Sequence, residues 1–320
     1  MSKRNYAIII FLLNLCICAA GGYFIFSGKD FSANQRENSL RFGACYMDLN
    51  NSYYRVLNNE ISSVIEENGD ILMTRDSAMD QEKQNEQIRS LLNENIKGLF
   101  INPVDSEGVL PALREAKEQG VFVIALDTDV ADASLSDCTV MTDRFGGGEQ
   151  MANYLMTQTD AANVALLVQK GVLAAERSAE GFRHALEKNE NFVVTAVQEC
   201  GGKMDWAMEA LREVEDSGCE FDAVFAINDP AALGAVAELD RRGTEDAKLV
   251  MGVDGSPSGK AMIKSGKLLA TLARFPAEMG QYAAESMYAL QRGEAVEPEI
   301  LLPVQLITKY TINAYDMDKW

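Results

Sequence analysis

The sequence predicts an α/β chain of two doubly wound parallel-sheet domains, and three observations carry that prediction. The chain has 320 residues, more than a single hydrophobic core holds comfortably. Short apolar runs of strand type alternate with stretches whose apolar residues recur three and four apart, the spacing of amphipathic helices. The whole alternation then restarts near Asn163 after a first complete series.

The first series has strand-like runs at Leu40–Met47, Gly69–Thr74, Gly98–Ile101, Val121–Leu126 and Cys138–Met141. Helical spacing fills the gaps at Tyr54–Glu67, Asp80–Asn95 and Gly108–Gln119. The second series has strands at Asn163–Val168, Phe192–Gln198, Phe221–Ile227, Lys248–Val253 and Leu268–Ala273. Its helices are Gly147–Thr157, Ala175–Lys188, Asp205–Glu215, Asp229–Arg242 and Ser256–Lys264. Strands alternating with helices give parallel sheets with right-handed crossovers. In such sheets a ligand sits beyond the carboxyl ends of the strands.

The N-terminus is of another kind. Lys3 and Arg4 precede Ala7–Phe26, an apolar run broken only by Asn14. A cleaved signal peptide carries roughly 7–15 apolar residues and a small-residue cleavage site, which Ala19-Ala20-Gly21-Gly22 would supply. Tyr23–Phe26 extends the run past that site to the length of about 20 residues that spans a bilayer. Residues 1–30 therefore read as a signal peptide or a membrane anchor, an apolar helix with its basic end in the cytoplasm. Cys16 and Cys18 follow Leu15 and Ile17, where a lipid-attachment signal carries a small residue, so a lipoprotein is discounted. From about Lys29 onward the chain is expected to be extracytoplasmic, periplasmic or held at the cell surface.

Composition narrows the function by exclusion. A net charge of −19 repels polyanions, which argues against nucleic acid or an anionic membrane surface as partner. The single histidine, His184, lies in a helical stretch beside Arg183, so a histidine triad or zinc site is not expected. GxSxG, GxxxxGK[ST] and a strand followed by GxGxxG are all missing. Gly146-Gly147-Gly148 at a helix start could receive a phosphate, but close packing explains it better. Asp127, Asp129, Asp132 and Asp137 lack the glycine and glutamate of a calcium loop. Cys45, Cys200 and Cys219 read as free thiols, with no CxxC. No cofactor, metal or catalytic residue is called for, although paired carboxylates at a cleft leave a glycosidase as the enzymatic rival.

Polar residues do gather where the strands end. Asp48, Asn50 and Asn51 follow the first strand, Asn102 the third, and Asp127 and Asp129 the fourth. Asn228 and Asp229, Asp254, and Arg274 end strands of the second series. Helix capping accounts for some of these, notably Asp229 before Pro230 and Ser256 before Pro257. It accounts less well for Asn102, Asp127, Asn228 and Asp254, each directly abutting an apolar run.

Over Leu40–Thr311 the chain resembles the ribose-type periplasmic sugar-binding proteins of ABC importers. The resemblance is carried in order by Leu49-Asn50-Asn51-Ser52-Tyr53-Tyr54, Ile101-Asn102-Pro103, Ile124-Ala125-Leu126-Asp127, Ala179-Glu180-Gly181-Phe182 and Val224-Phe225-Ala226-Ile227-Asn228-Asp229, then Gly252-Val253-Asp254-Gly255 and Gly266-Lys267-Leu268-Leu269-Ala270-Thr271. It implies the type I periplasmic binding protein fold, with two domains joined by a three-strand hinge near Met141–Asp143, Arg274–Pro276 and Leu302–Gln305. One domain would comprise residues 40–141 and 275–302, the other 142–274 and 303–313. It also implies a monomer that closes on a sugar or polyol and delivers it to an ABC permease. A membrane-anchored sensor for a signalling partner is the alternative.

By resemblance Tyr53 and Tyr54 form the stacking pair, and Asn51, Asn102, Asp127, Asn228 and Asp254 bind hydroxyls. The chain departs from the family pattern at several places. Thr128 stands where relatives carry arginine, Arg274 where they carry glutamine, and Glu176 where they carry arginine, with Arg177 adjacent. The aromatic residue expected ahead of Asp205–Glu215 falls near Gly202, with Met204 and Trp206 as substitutes. Glu176 and Arg274 are expected either to pair or to hold one ligand between them, unless a one-residue shift turns Arg177 inward instead.

Overall fold

In the computed structural model, residues 39–244 and 248–320 are described. The apolar run Ala7–Phe26 and its signal-or-anchor alternatives lie outside them. Among the described residues no helix is long and apolar enough to cross a membrane.

The first series forms β1 (Arg41–Tyr46), α1 (Ser52–Glu67), β2 (Ile71–Asp76), α2 (Gln81–Asn93), β3 (Gly98–Ile101), α3 (Leu110–Glu118), β4 (Phe122–Leu126) and β5 (Cys138–Thr142). The second forms α4 (Arg144–Gln158), β6 (Ala162–Val168), α5 (Leu173–Leu186), β7 (Phe192–Glu199), α6 (Met204–Asp216), β8 (Ala223–Ala226), α7 (Asp229–Arg242), β9 (Leu249–Asp254), α8 (Pro257–Lys264) and β10 (Ala270–Ala273). After these come α9 (Pro276–Gln291), β11 (Glu299–Leu302) and β12 (Gln305–Thr308).

Two six-stranded sheets result, in the orders β11-β5-β4-β3-β1-β2 and β12-β10-β9-β8-β6-β7. Each is the core of one lobe, as the two-domain α/β expectation requires. Their central strands β3, β5 and β8 are buried along their whole length, which is why they read as unbroken apolar runs. The edge strand β7 alternates in burial instead. The chain passes between the sheets after β5, after β10 and between β11 and β12. β12 departs from the all-parallel expectation by pairing antiparallel with β10. β11 runs parallel to β5, toward the cleft, and Pro303-Val304 alone connect it to β12. The chain therefore enters the second sheet from the cleft side, against the direction of its neighbours.

Several helix starts differ from the apolar spacing by one to three residues, and those of α3 and α4 have local causes. α3 begins at Leu110, with Pro111 in the first turn, where its missing N–H costs nothing. α4 begins three residues before the spacing suggests, because Asp143 caps it by accepting the Gly146 N–H at 2.8 Å. Arg144 is thereby placed in the first turn. Cys45, Cys138 and Cys200 are buried free thiols and Cys219 is a half-buried one.

The triple glycine serves packing. A Cβ on Gly148 would run into the backbone of Ser178 and Phe182, and one on Gly181 into the carbonyl of Phe145. α4 and α5 therefore meet backbone to backbone. Gly181→Ala should destabilise the protein despite alanine's better helix propensity. Propensity favours the change by up to about 1 kcal/mol, whereas overpacking costs about 1–3 kcal/mol and backbone atoms cannot rotate away. The expected result is a lower urea midpoint with an unchanged slope; a raised midpoint would contradict this packing.

Candidate functional site

The carboxyl ends of both sheets face one another across a shut cleft. The Ser106 N–H donates to Gly171 O at 2.9 Å, and the Ala174 N–H to Thr128 Oγ1 at 3.0 Å. Arg177 pairs with Asp129 at 2.6 Å. Lys203 stands 4.0 Å from Asp48. Each contact joins a loop of the first lobe to a loop or to the first turns of α5 in the second.

Inside lies a cavity of about 30 Å³ lined by Asn51, Tyr54, Asp127, Arg144, Gln169, Val172, Ala174, Ala175, Ile227, Asn228 and Arg274. That is room for about one water. Roomier grooves of about 220 Å³ and 370 Å³ lie on the outer face of the second lobe between α5 and β7. The small cavity is the better candidate, because convergent polar groups from both lobes meet there at the strand ends.

Four buried charges organise it. Asp127 follows β4 in a left-handed conformation (φ 66°), which aims its carboxylate at the second lobe. It accepts from Arg144 Nη2 at 2.8 and 3.0 Å and from Arg274 Nη1 at 2.5 Å. The Tyr54 hydroxyl adds a 3.3 Å bond. Burial opposes its charge, but the two guanidinium groups outweigh burial and hold its pKa down to about 2. Arg274 also donates from Nε to Asp254 Oδ1 at 3.0 Å, and from Nη2 to the same oxygen. Its guanidinium lies 3.8 Å from the Tyr53 ring centre, a cation–π contact. Burial raises the pKa of Asp254 against the pull of Arg274. Asp254 Oδ2 and Arg144 Nε are buried without a hydrogen-bond partner among the described residues.

The sequence-derived candidates divide into three groups. Asn51, Tyr54, Asp127, Asn228 and Arg274 share the cavity wall, and Asp254 is tied to it through Arg274. Asn51 and Asn228 also cap helices, accepting from Tyr53 N at 2.9 Å and Ala231 N at 2.8 Å. Asn102 and Tyr53 stand behind the wall. Asn102 donates to Leu126 O at 3.0 Å and accepts from Met47 N at 3.4 Å, so it clamps the ends of β1 and β4.

Glu176 and Arg177 form the third group and point elsewhere. Glu176 is exposed and accepts the Gly171 N–H at 3.0 Å, while Arg177 is taken by Asp129. The expected pairing of Glu176 with Arg274 is thus replaced by Arg274 with Asp127 and Asp254. Two strand-end carboxylates lie within reach of Arg274, whereas Glu176 projects from the outer side of α5.

Arg144 and Gln169 also line the cavity and are not among the sequence-derived candidates. Both stand within two residues after a strand, β5 and β6, the same signal that marks Asp127 and Asn228.

Fold and site together define a two-lobed receptor whose cleft encloses its ligand. The chain belongs to the periplasmic binding protein family, in its ribose-type branch: the family model for the periplasmic binding protein domain matches residues 42–295. The ribose import binding protein of Escherichia coli is 28% identical over 263 residues, covering 82% of this chain and 88% of that protein. Its Bacillus subtilis counterpart is 28% identical over 280 residues, covering 87% and 90%. An ABC transporter solute-binding protein from Mycobacterium smegmatis, solved with bound glycerol, superposes with a TM-score of 0.81 at 26% identity, covering 87% of this chain and 96% of that one. One from Bacillus halodurans, solved with myo-inositol, has the same fold at TM-score 0.81 and 21% identity, covering 87% and 97%. Family membership implies an extracytoplasmic location.

Behind Asp254 lies a further buried carboxyl. Asp229 accepts from Thr271 Oγ1 at 2.6 Å and from Ser256 N and Oγ at 2.8 and 2.7 Å. Burial, then the charge of Asp254, pushes its pKa up to about 7. A carboxyl raised in the folded state contributes stability that is fully present below its unfolded value, near 3.8, and is lost as pH rises toward 7. Asp229→Asn should remove that dependence, since its amide can donate to Thr271 Oγ1 while its oxygen still accepts from Ser256. Wild-type stability should decline between pH 5 and 7 by up to about 1.4 kcal/mol per pH unit more than that of the variant, read from urea midpoints. Parallel pH profiles would show that Asp229 does not titrate there.

Proposed function

We propose that the protein binds a small uncharged sugar or polyol outside the cytoplasm and delivers it to an ABC importer, acting as a monomer and without chemical change. The sheet memberships support a division into residues 40–141 with 275–302, and 142–274 with 303–313, apart from Thr142, which ends β5, and closure occurs about the three crossings between them. The observation that carries the reading is the Asp127, Arg144, Arg274 and Asp254 cluster, contributed by both lobes and lying where a ligand must lie.

Charge supports an uncharged ligand. Two carboxylates neutralise two guanidinium groups, so a charged ligand would enter the shut cleft unpaired, at a cost of several kcal/mol. Hydroxyls suit the site because each both donates to a carboxylate and accepts from an arginine. The unpartnered Asp254 Oδ2 and Arg144 Nε would take one bond each. Admitting a ring requires opening the lobes and turning Arg144 away from Asp127, because the cavity holds far less than a monosaccharide.

A thermal-shift screen tests this. D-ribose, D-allose, myo-inositol and glycerol would be compared with D-glucuronate and D-glucosamine. At least one neutral compound should raise the melting temperature, since binding stabilises the native state by mass action, and the charged ones should not. Asp127→Asn and Asp254→Asn should each weaken the best ligand by about 1.5–3 kcal/mol. A response confined to glucuronate or glucosamine would overturn the charge argument, and chemically altered ligand recovered from the protein would make it an enzyme.

A further inference from the structure

The residues after β12 reach from one lobe to the other. Following the 3-10 turn Ile312–Ala314, Tyr315 stays on the second lobe, donating its hydroxyl to Gln305 Oε1 at 2.9 Å. Lys260 of α8, only 2% exposed, donates its ammonium to the carbonyls of Asp316 and Lys319. One residue on, Trp320 meets Tyr53 of α1 edge-on, with ring centres 5.3 Å apart and planes at 69°. Lys260 belongs to the second lobe and Tyr53 to the first.

Both ends of this link are specific. A buried ammonium must be hydrogen-bonded to be tolerated, and the two carbonyls of Asp316–Lys319 do that for Lys260. At the far end Tyr53 is fully buried, with Arg274 over its face at 3.8 Å. Its hydroxyl points to Met279 Sδ at 3.6 Å. Trp320 adds a T-shaped ring contact to these neighbours. The ring expected to stack on a ligand is thus engaged by the protein itself, and what bears on Tyr53 bears on Arg274.

We propose that Asp316–Trp320 is a non-covalent strap across the hinge, anchored by Lys260, and that Trp320 is a positioning residue which seats Tyr53 under Arg274 and favours the shut cleft. The proposal rests on the opening and closing of the lobes named above, but its test needs no ligand.

The full chain has two tryptophans, so Trp206→Phe leaves Trp320 as the sole indole. Its emission should be sensitised by tyrosine and should shift to the red when Lys260→Met is added. Without added ligand, Trp320→Ala and Lys260→Met should each raise the open-to-shut ratio roughly 3- to 10-fold, seen as a larger radius of gyration by small-angle scattering. Trp320→Phe should restore the wild-type radius. Unchanged radii, or a lower melting temperature with no change in radius, would reduce the segment to ordinary packing and overturn the proposal. So would an emission spectrum indifferent to Lys260. A wild-type protein that binds no sugar or polyol would instead count against the proposed function and leave these comparisons intact.

Discussion

Charge neutrality in a space with no room for bulk water is the constraint on which the cleft depends. Arg274 is 3% exposed and Asp254 fully buried, so neither can be hydrated. Each is tolerable only because the other is there. Arg274 lies at the end of β10, where the chain leaves the second sheet, and Asp127 lies at the end of β4 in the first. The ion pairs that satisfy these charges are therefore also the contacts that hold the two sheets face to face. Arg144 joins from the first turn of α4, just after another crossing. Side chains placed near the hinge thus set both the electrostatics of the cleft and the distance across it.

Much of this was legible in the sequence, for a physical reason. Strands such as β3 and β8 are covered on both sides, so the chain must spell them as continuous apolar runs. Their ends are where the backbone surfaces into the cleft, and a polar residue directly after such a run is conspicuous. Asp127, Asn228, Asp254 and Arg274 stand out in this way. What stayed hidden depends on rotation about a helix. Arg144 faces inward only because Asp143 starts α4 ahead of the apolar spacing. Glu176 and Arg177 differ by one residue, about 100° around α5, and neither periodicity nor resemblance fixes that angle. Tyr53 and Tyr54 share the difficulty. Tyr54 lines the cavity, and Tyr53 stands behind it, because Arg274 and Trp320 are already against its ring.

The carboxylates of the second lobe are layered. Asp254 lies at the cleft, paired with Arg274, and Asp229 lies behind it, held by Ser256 and Thr271. At Gly252 and Gly259 a Cβ would meet the Asp229 carboxylate, so the surrounding chain is shaped closely to it. Asp229 reads from sequence as a simple helix-start residue, and capping of α7 in fact falls to Asn228. A buried carboxyl that accepts three hydrogen bonds fixes the ends of β9 and β10 relative to α7. The orientation of Asp254 follows from that frame.

The glycine contact between α4 and α5 bears on how the wall could be assembled. Side chains between packed helices let them slide, whereas backbones in direct contact at Gly148 and Gly181 lock them in register. Arg144 begins one of these helices, and the Gln169–Ala175 segment leads into the other. The pair behaves as a single stiff lever, and any swing of the second lobe delivers the arginine and the loop to the ligand in one stroke.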